Sequence, residues 1–433
     1  MFRSLLVGSI IKLEDESMKI REKSIRLGSL SKLVILSVCV YTIVLVVNAL
    51  IVNFADTGFS ILISDQLVFY NRGLGVLRGE VPYRDFYTHA APLSPYLWFF
   101  IVIISMLLSG DFSTTALQLD TYLDSAGMVL SSYVFRVFFA FCLISSAIIL
   151  YKLLELKGYQ KSFWIALIYS INPYFLYLTS FWGSDECIIP LLILLPIYLL
   201  EKKKYYLASV SLIIGTGLKY FPILIVPLIL IYNKRVRHIL IQLSITTIGI
   251  VACYLPFYFL DSEAFLAQFN YPLDNARNQG LAAFHEHFSS SNFSPLDSYE
   301  YLTITVVLIG LFSLVLFLTR DNWSFEKTLS ILILFLLLFP KIQFSYFVLI
   351  FPFLMVMIFK RNYFSVVYAL TFLCSMMGGV TADYILSYEG TNIFSYISAW
   401  IITIILYLSM IVILIHVFLT KEFSTISQDK KLK

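Results

Sequence analysis

The stretch Asp65–Tyr96, DQLVFYNRGLGVLRGEVPYRDFYTHAAPLSPY, concentrates side chains able to do chemistry. It follows the first long apolar segment directly and carries Asp65, Asp85, Arg72, Arg78, Arg84, His89 and three prolines. Asp65 has Ile61–Ile63 before it and Phe69 and Tyr70 after it. A carboxylate at such an apolar edge is partly desolvated, which raises its pKa and makes it a better proton acceptor. Ser64-Asp65 also has the character of a cap opening a helix from Gln66 to Leu77. The two readings are compatible, because a capping position holds the carboxylate rigidly. Arg84 and Asp85, side by side, either pair in solvent or shape a binding pocket. His89 precedes an apolar helix that Pro92 and Pro95 open, where a loop histidine commonly serves hydrogen bonding.

Further groups of interest are scattered along the chain. Lys219 and Lys341 stand at short tips between apolar segments. There they either snorkel to lipid headgroups or meet an anion such as a phosphate. Arg136 lies a few residues inside its apolar run, where snorkelling is harder and a phosphate or carboxylate partner is expected. Asp185-Glu186 suits sugar hydroxyls or a divalent cation, and equally a helix cap. The segment 260–300 holds Arg277 and Phe284-His285-Glu286-His287-Phe288. That spacing lacks the i, i+4 histidines of a helical zinc site and has no evident third ligand, so no metal is assigned. An acceptor-binding or lid segment with SSSNFSP as hinge is the reading preferred for it.

These residues are set in a membrane-protein background. Of 433 residues 59% are hydrophobic and 13% charged, about half the charge of a soluble domain. Apolar runs recur at 33–53, 128–151, 162–180, 186–200, 205–218, 221–232, 239–259, 301–318, 328–340, 346–359, 363–380 and 396–419. Prolines within them predict kinks and broken helices. The fold class is therefore all-α, a polytopic bundle of about 12 spans. The five cysteines (Cys39, Cys142, Cys187, Cys253 and Cys374) read as small apolar residues.

Charge sets the orientation. If Leu93–Ser109 lies along or dips into the interface rather than spanning, most of the 31 Lys and Arg fall on one side with both termini. The positive-inside rule makes that side cytoplasmic. Residues 1–32 then form a basic cytoplasmic tail, 33–419 the transmembrane domain and 420–433 a cytoplasmic tail. Met18, opening the basic run MKIREKSIR, is an alternative start. The outer face receives a long first loop, 54–127, the later loop 260–300 and most of the carboxylates. Chemistry is expected on that face, and no nucleic-acid partner is.

The order of motifs resembles the GT-C glycosyltransferases, multispanning enzymes that use polyprenyl-phosphate sugars. Asp65 soon after the first span precedes Gly79-Glu80-Val81-Pro82-Tyr83-Arg84-Asp85-Phe86 and a proline-opened apolar helix. Tyr133-Val134-Phe135-Arg136 opens the second span. Asn172-Pro173 is followed by Phe181-Trp182-Gly183-Ser184-Asp185-Glu186, with Ser184 where the family often has Gln. Lys219-Tyr220-Phe221-Pro222 is similar to a K-x-x-P tip, and Lys341-Ile342-Gln343-Phe344-Ser345-Tyr346 to a later lysine motif with Gln and Ser displaced. The nearest likeness is to polyprenol-phosphate-mannose-dependent mannosyltransferases.

This resemblance implies an inverting transfer of a hexose such as mannose from a polyprenyl- or dolichyl-phosphate donor to a glycan, lipid-linked or protein acceptor. It implies Asp65 as catalytic base and Lys219, Lys341 and Arg136 as cations for the donor phosphate. Arg84, Asp85, His89, Asp185, Glu186, Arg277, His285, Gln343 and Tyr346 would line the sugar and acceptor site. The resemblance fixes no cofactor, and a divalent cation fits the acidic pair. A flippase, transporter or polymerase of lipid-linked glycans is the rival reading. A transporter predicts charge deep within spans and often repeat symmetry, whereas the charge here gathers at the tips and no repeat is visible.

Overall fold

The computed structural model describes residues 28–50, 64–88, 90–110, 112, 126–232, 235–267, 324–338 and 344–360, with isolated positions at 303–311 and 401–412. All regular structure among them is helical; an isolated bridge joins Pro82 to Phe86. Three helices are long and apolar enough to cross a membrane: α1 (Gly28–Leu50), the stretch Leu130–Leu156 of α4 (Ala126–Leu156), and α10 (Val236–Leu260). They make this a multi-pass membrane protein. Around them stand shorter helices: α2 (Ser64–Leu77), α3 (Ser94–Ser109), α5 (Ser162–Ser170), α6 (Pro173–Leu176), α7 (Ile189–Glu201), α8 (Tyr205–Leu218), α9 (Leu228–Tyr232), α11 (Phe325–Leu338) and α12 (Phe351–Lys360).

Prolines and polar breaks interrupt two of the apolar runs among the described residues. The run 162–180 stops as α5, then restarts at Asn172-Pro173: Asn172 Oδ1 accepts the Tyr174 N–H at 2.9 Å and Pro173 takes the first helical position. A π-helical turn, Tyr177–Trp182, completes it. The run 221–232 divides into a 3-10 turn, Phe221–Ile225, and α9. Pro196 sits inside α7. The described residues thus show three long spans, and the shorter apolar segments pack on them.

The bundle has two polar ends. α4 and α7 run side by side. At one end the Arg136 guanidinium of α4 reaches the Phe181 carbonyl at 3.2 Å. At the other, Lys157 just past α4 meets the last residue of α7, Glu201, at 2.5 Å, and Tyr232 of α9 donates to the same carboxylate at 2.8 Å. Lys202, Lys203 and Lys204 turn the chain there, with Lys203 in the left-handed region at φ 58°, and α8 returns to the Arg136 end. Between the ends lies a core of Phe135, Phe139, Leu143, Tyr174, Phe175, Ile193, Leu212 and Phe351, all buried.

The α2–α3 pair caps the Arg136 end. The Leu93 N–H donates to the Gly217 carbonyl at 2.7 Å, and the Ser94 hydroxyl donates to the Leu218 carbonyl, tying the start of α3 to the end of α8. α3 buries Trp98, Ile101, Val102, Ser105 and Met106 and exposes Phe100, Ile104, Leu107 and Leu108. With 16 residues it is shorter than the roughly 20 that cross a bilayer. α2 lies close on α3 because Gly73 has no side chain; a Cβ there would come within 2.8 Å of Val102 and 2.9 Å of the Trp98 backbone. Phe69 stacks on Trp98 at 4.8 Å between ring centres. Gly73→Ala therefore forces the pair apart and is expected to lower stability by about 1–3 kcal/mol. Gly28→Ala, which meets nothing within 4 Å, should be neutral; thermal unfolding in detergent compares the two.

Candidate active site

The Arg136 end gathers the charged groups. Asp65 sits in the first turn of α2, consistent with a helix opened at Ser64-Asp65. Its Oδ2 accepts the Trp182 indole N–H at 2.7 Å. Trp182 closes the π-helical turn, and Gly183 follows at φ 68° in the left-handed region. Asp185 and Glu186 then open a 3-10 turn, Asp185–Ile188. Lys219, the first residue after α8, reaches over to them. Its Nζ donates to Asp185 Oδ1 at 2.7 Å and lies 3.5 Å from Glu186 Oε1.

The electrostatics follow from this geometry. Burial pushes the Asp65 carboxyl up; the Trp182 hydrogen bond, Lys219 and Arg72 oppose it, Glu186 reinforces it, and the net direction is upward. Burial also raises Asp185, more than Lys219 lowers it. Burial would raise Glu186 too, but Lys219 and a hydrogen bond from the Ser184 hydroxyl outweigh it and hold that carboxyl below its ordinary value. Burial pulls Lys219 down, yet the two carboxylates prevail and keep it cationic. One ammonium thus faces Asp65, Asp185 and Glu186. A site with this excess of negative charge can accept protons and stabilise developing positive charge.

A polar network holds the Trp182 turn in place. Gln66, next to Asp65 and 0% exposed, donates from Nε2 to the Trp182 carbonyl at 2.8 Å. Its Oε1 accepts from the Ser132 hydroxyl at 2.8 Å. Ser132 in turn accepts from Arg136 Nη1, and Arg136 Nη2 donates to the Phe181 carbonyl. The Gln66 amide occupies the space where a Gly183 Cβ would stand. Arg136 is 2% exposed and lies over the Tyr133 ring. The Tyr133 hydroxyl donates to Asn48 Oδ1 at 3.2 Å, bringing α1 into the network.

Asp65, Asp185, Glu186 and Lys219 meet, and Arg136 joins them through Ser132, Gln66 and Trp182. Arg84 and Asp85 sit apart on an exposed loop tip and pair with each other at 2.7 and 2.9 Å. That pairing, with the Val81 N–H bond, holds Asp85 at about 2. Tyr346 packs on Phe221, 5.0 Å between ring centres, behind the Lys219 tip. His89, Arg277, His285, Lys341 and Gln343 lie outside the described residues. Trp182, Gln66 and Ser132 join the site without having been singled out for it by type or spacing, and Arg72, noted in the Asp65–Tyr96 stretch, acts on Asp65 through its charge. For Trp182 a signal existed in its position between Phe181 and Gly183-Ser184-Asp185. Among the described residues, no three His, Cys, Asp or Glu side chains are grouped to hold a metal ion.

Residues 125–340, about half of the chain, match the family model of Glycosyltransferase family 87. The matched stretch contains Arg136, Trp182, Asp185, Glu186 and Lys219; Asp65 precedes it. No curated protein matches the chain.

Lys219→Met leaves two buried carboxylates without their cation. It is expected to cost about 3–5 kcal/mol, as breaking a buried ion pair does. Adding Asp185→Asn should restore part of that loss, a coupling that thermal unfolding of the single and double variants measures.

Proposed function

Starting from a chain whose residues 125–340 belong to Glycosyltransferase family 87, a GT-C type family of membrane glycosyltransferases, we propose an inverting hexosyltransferase with Asp65 as its base. The donor is a sugar, such as mannose, on a polyprenyl or dolichyl phosphate. The acceptor is a hydroxyl of a glycan, a lipid-linked glycan or a protein at the extracytoplasmic face. The twelve-span arrangement with both termini inside belongs to the same proposal.

One observation carries it: the Asp65 carboxylate, raised in proton affinity, is hydrogen-bonded to a tryptophan of the matched segment beside Asp185, Glu186 and Lys219. Only Oδ2 takes the indole N–H. Oδ1 can receive the acceptor's proton as its oxygen attacks the anomeric carbon from the face opposite the leaving phosphate. In such a displacement the anomeric centre gains positive character, and the surplus carboxylate charge at this end of the bundle favours it. The same surplus repels a phosphate. Lys219 is already engaged by two carboxylates, so in this proposal it orders Asp185 and Glu186 for sugar hydroxyls and offers the donor phosphate at most its remaining N–H. Lys341 is the cation assigned to the phosphate. Arg136 supports the Phe181–Trp182 turn.

Asp65→Asn keeps the indole acceptor but removes the base. Turnover from radiolabelled polyprenyl-phosphate mannose in native membranes should fall by about 100-fold or more, with the protein still folded. Undiminished turnover removes Asp65 from the mechanism.

A further inference from the structure

Two consecutive residues of α2 grip one residue of the Phe181–Asp185 turn. Asp65 takes the indole N–H of Trp182, and Gln66 donates to its backbone carbonyl. Gln66 is fixed in turn by the Ser132 hydroxyl of α4. The grip depends on Gly183, because φ 68° disfavours other residues and any Cβ would displace the Gln66 amide. A polar side chain wholly buried at a helix start is costly unless its hydrogen bonds are made, and both ends of the Gln66 amide are used here. From this arrangement we propose that Trp182 is the positioning residue for Asp65, and that Ser132, Gln66 and Gly183 form a relay that keeps the indole N–H on Asp65 Oδ2.

The relay has a chemical purpose that rests on Asp65 being the base. A desolvated carboxylate close to other carboxylates tends to hold its proton and so to be spent as a base. A hydrogen bond donated to the charged form counters this, and it occupies one oxygen so that the other alone faces the acceptor. Among the described residues, Trp182 alone donates a hydrogen bond to Asp65. The charged groups around it are Arg72 on its own helix, Asp185 and Glu186 on the 3-10 turn, and Lys219 at the end of α8; Arg136 of α4 reaches it only through the relay. Those charges stay in place when the indole N–H is removed. The change to be seen is therefore a changed proton affinity of Asp65, separate from loss of fold.

Trp182→Phe keeps the ring and removes the N–H. The test follows turnover of radiolabelled polyprenyl-phosphate mannose against pH in native membranes, for wild type, Trp182→Phe, Ser132→Ala and Asp65→Asn. The acid limb of kcat should move to higher pH in Trp182→Phe. Turnover then falls about tenfold or more on the acid side and less than about threefold at the alkaline plateau, while KM for the donor changes little. Ser132→Ala, a small change within a helix, should move the limb the same way by less. A limb that stays in place in folded Trp182→Phe, with turnover depressed equally at every pH, overturns the relay. If Trp182→Phe does not accumulate, Ser132→Ala decides: an upward shift supports the relay and an unmoved limb overturns it. Turnover that survives in Asp65→Asn instead overturns the base assignment, which separates the two failures.

Discussion

The hydrogen bond from the Trp182 indole to Asp65 joins two parts of the chain more than a hundred residues apart. On one side is a short helix pair, α2 and α3, outside the family-matched stretch. On the other is the matched stretch itself, folded into α4, the Tyr177–Trp182 turn, α7 and α8. The rest of the bundle is arranged to let that bond form. Gly73 lets α2 lie close on Trp98; Leu93 and Ser94 fasten α3 to the end of α8; Asn172-Pro173 ends one helix and starts the turn that brings Trp182 out. π-helical turns of this kind are frequent at functional sites, and here the turn delivers an indole.

Charge balance explains the character of the site. Three carboxylates share one close ammonium, and burial makes each ionisation costly. The outcome differs for each group because the local partners differ: Lys219 with the Ser184 hydroxyl favours Glu186, while Asp65 and Asp185 rise. A site assembled mainly to hold an anion would show the opposite balance. At the far end of the bundle Lys157, Glu201 and Tyr232 tie α4, α7 and α9 together beside the lysine turn. The two ends are thus chemically distinct, one acidic and partly buried, the other basic.

Composition was enough for an all-helical membrane protein, and the helix after Ser64-Asp65 and the proline-opened helix Ser94–Ser109 were legible in local sequence patterns. Proline and asparagine break the runs 162–180 and 221–232, which hydropathy reads as continuous. Asp65, Asp185 and Lys219 stood out as charges beside apolar segments. Their mutual contacts did not, since an ion pair between residues thirty-four apart leaves no local spacing. Gln66 and Ser132 carry no charge and belong to no motif, so only their placement reveals them. Arg84-Asp85 shows the reverse: a conspicuous pair in the sequence is a solvent-exposed couple in the fold.

The proton affinity of Asp65 is the quantity on which this account turns. Infrared difference spectroscopy of the purified protein, comparing wild type with Asp65→Asn across pH, reads the carboxyl and carboxylate bands of this residue directly. The account predicts that Asp65 ionises above the ordinary range for an aspartate and that the midpoint moves further up when Trp182 becomes phenylalanine. An Asp65 that ionises at or below the ordinary value, unaffected by Trp182, would contradict it.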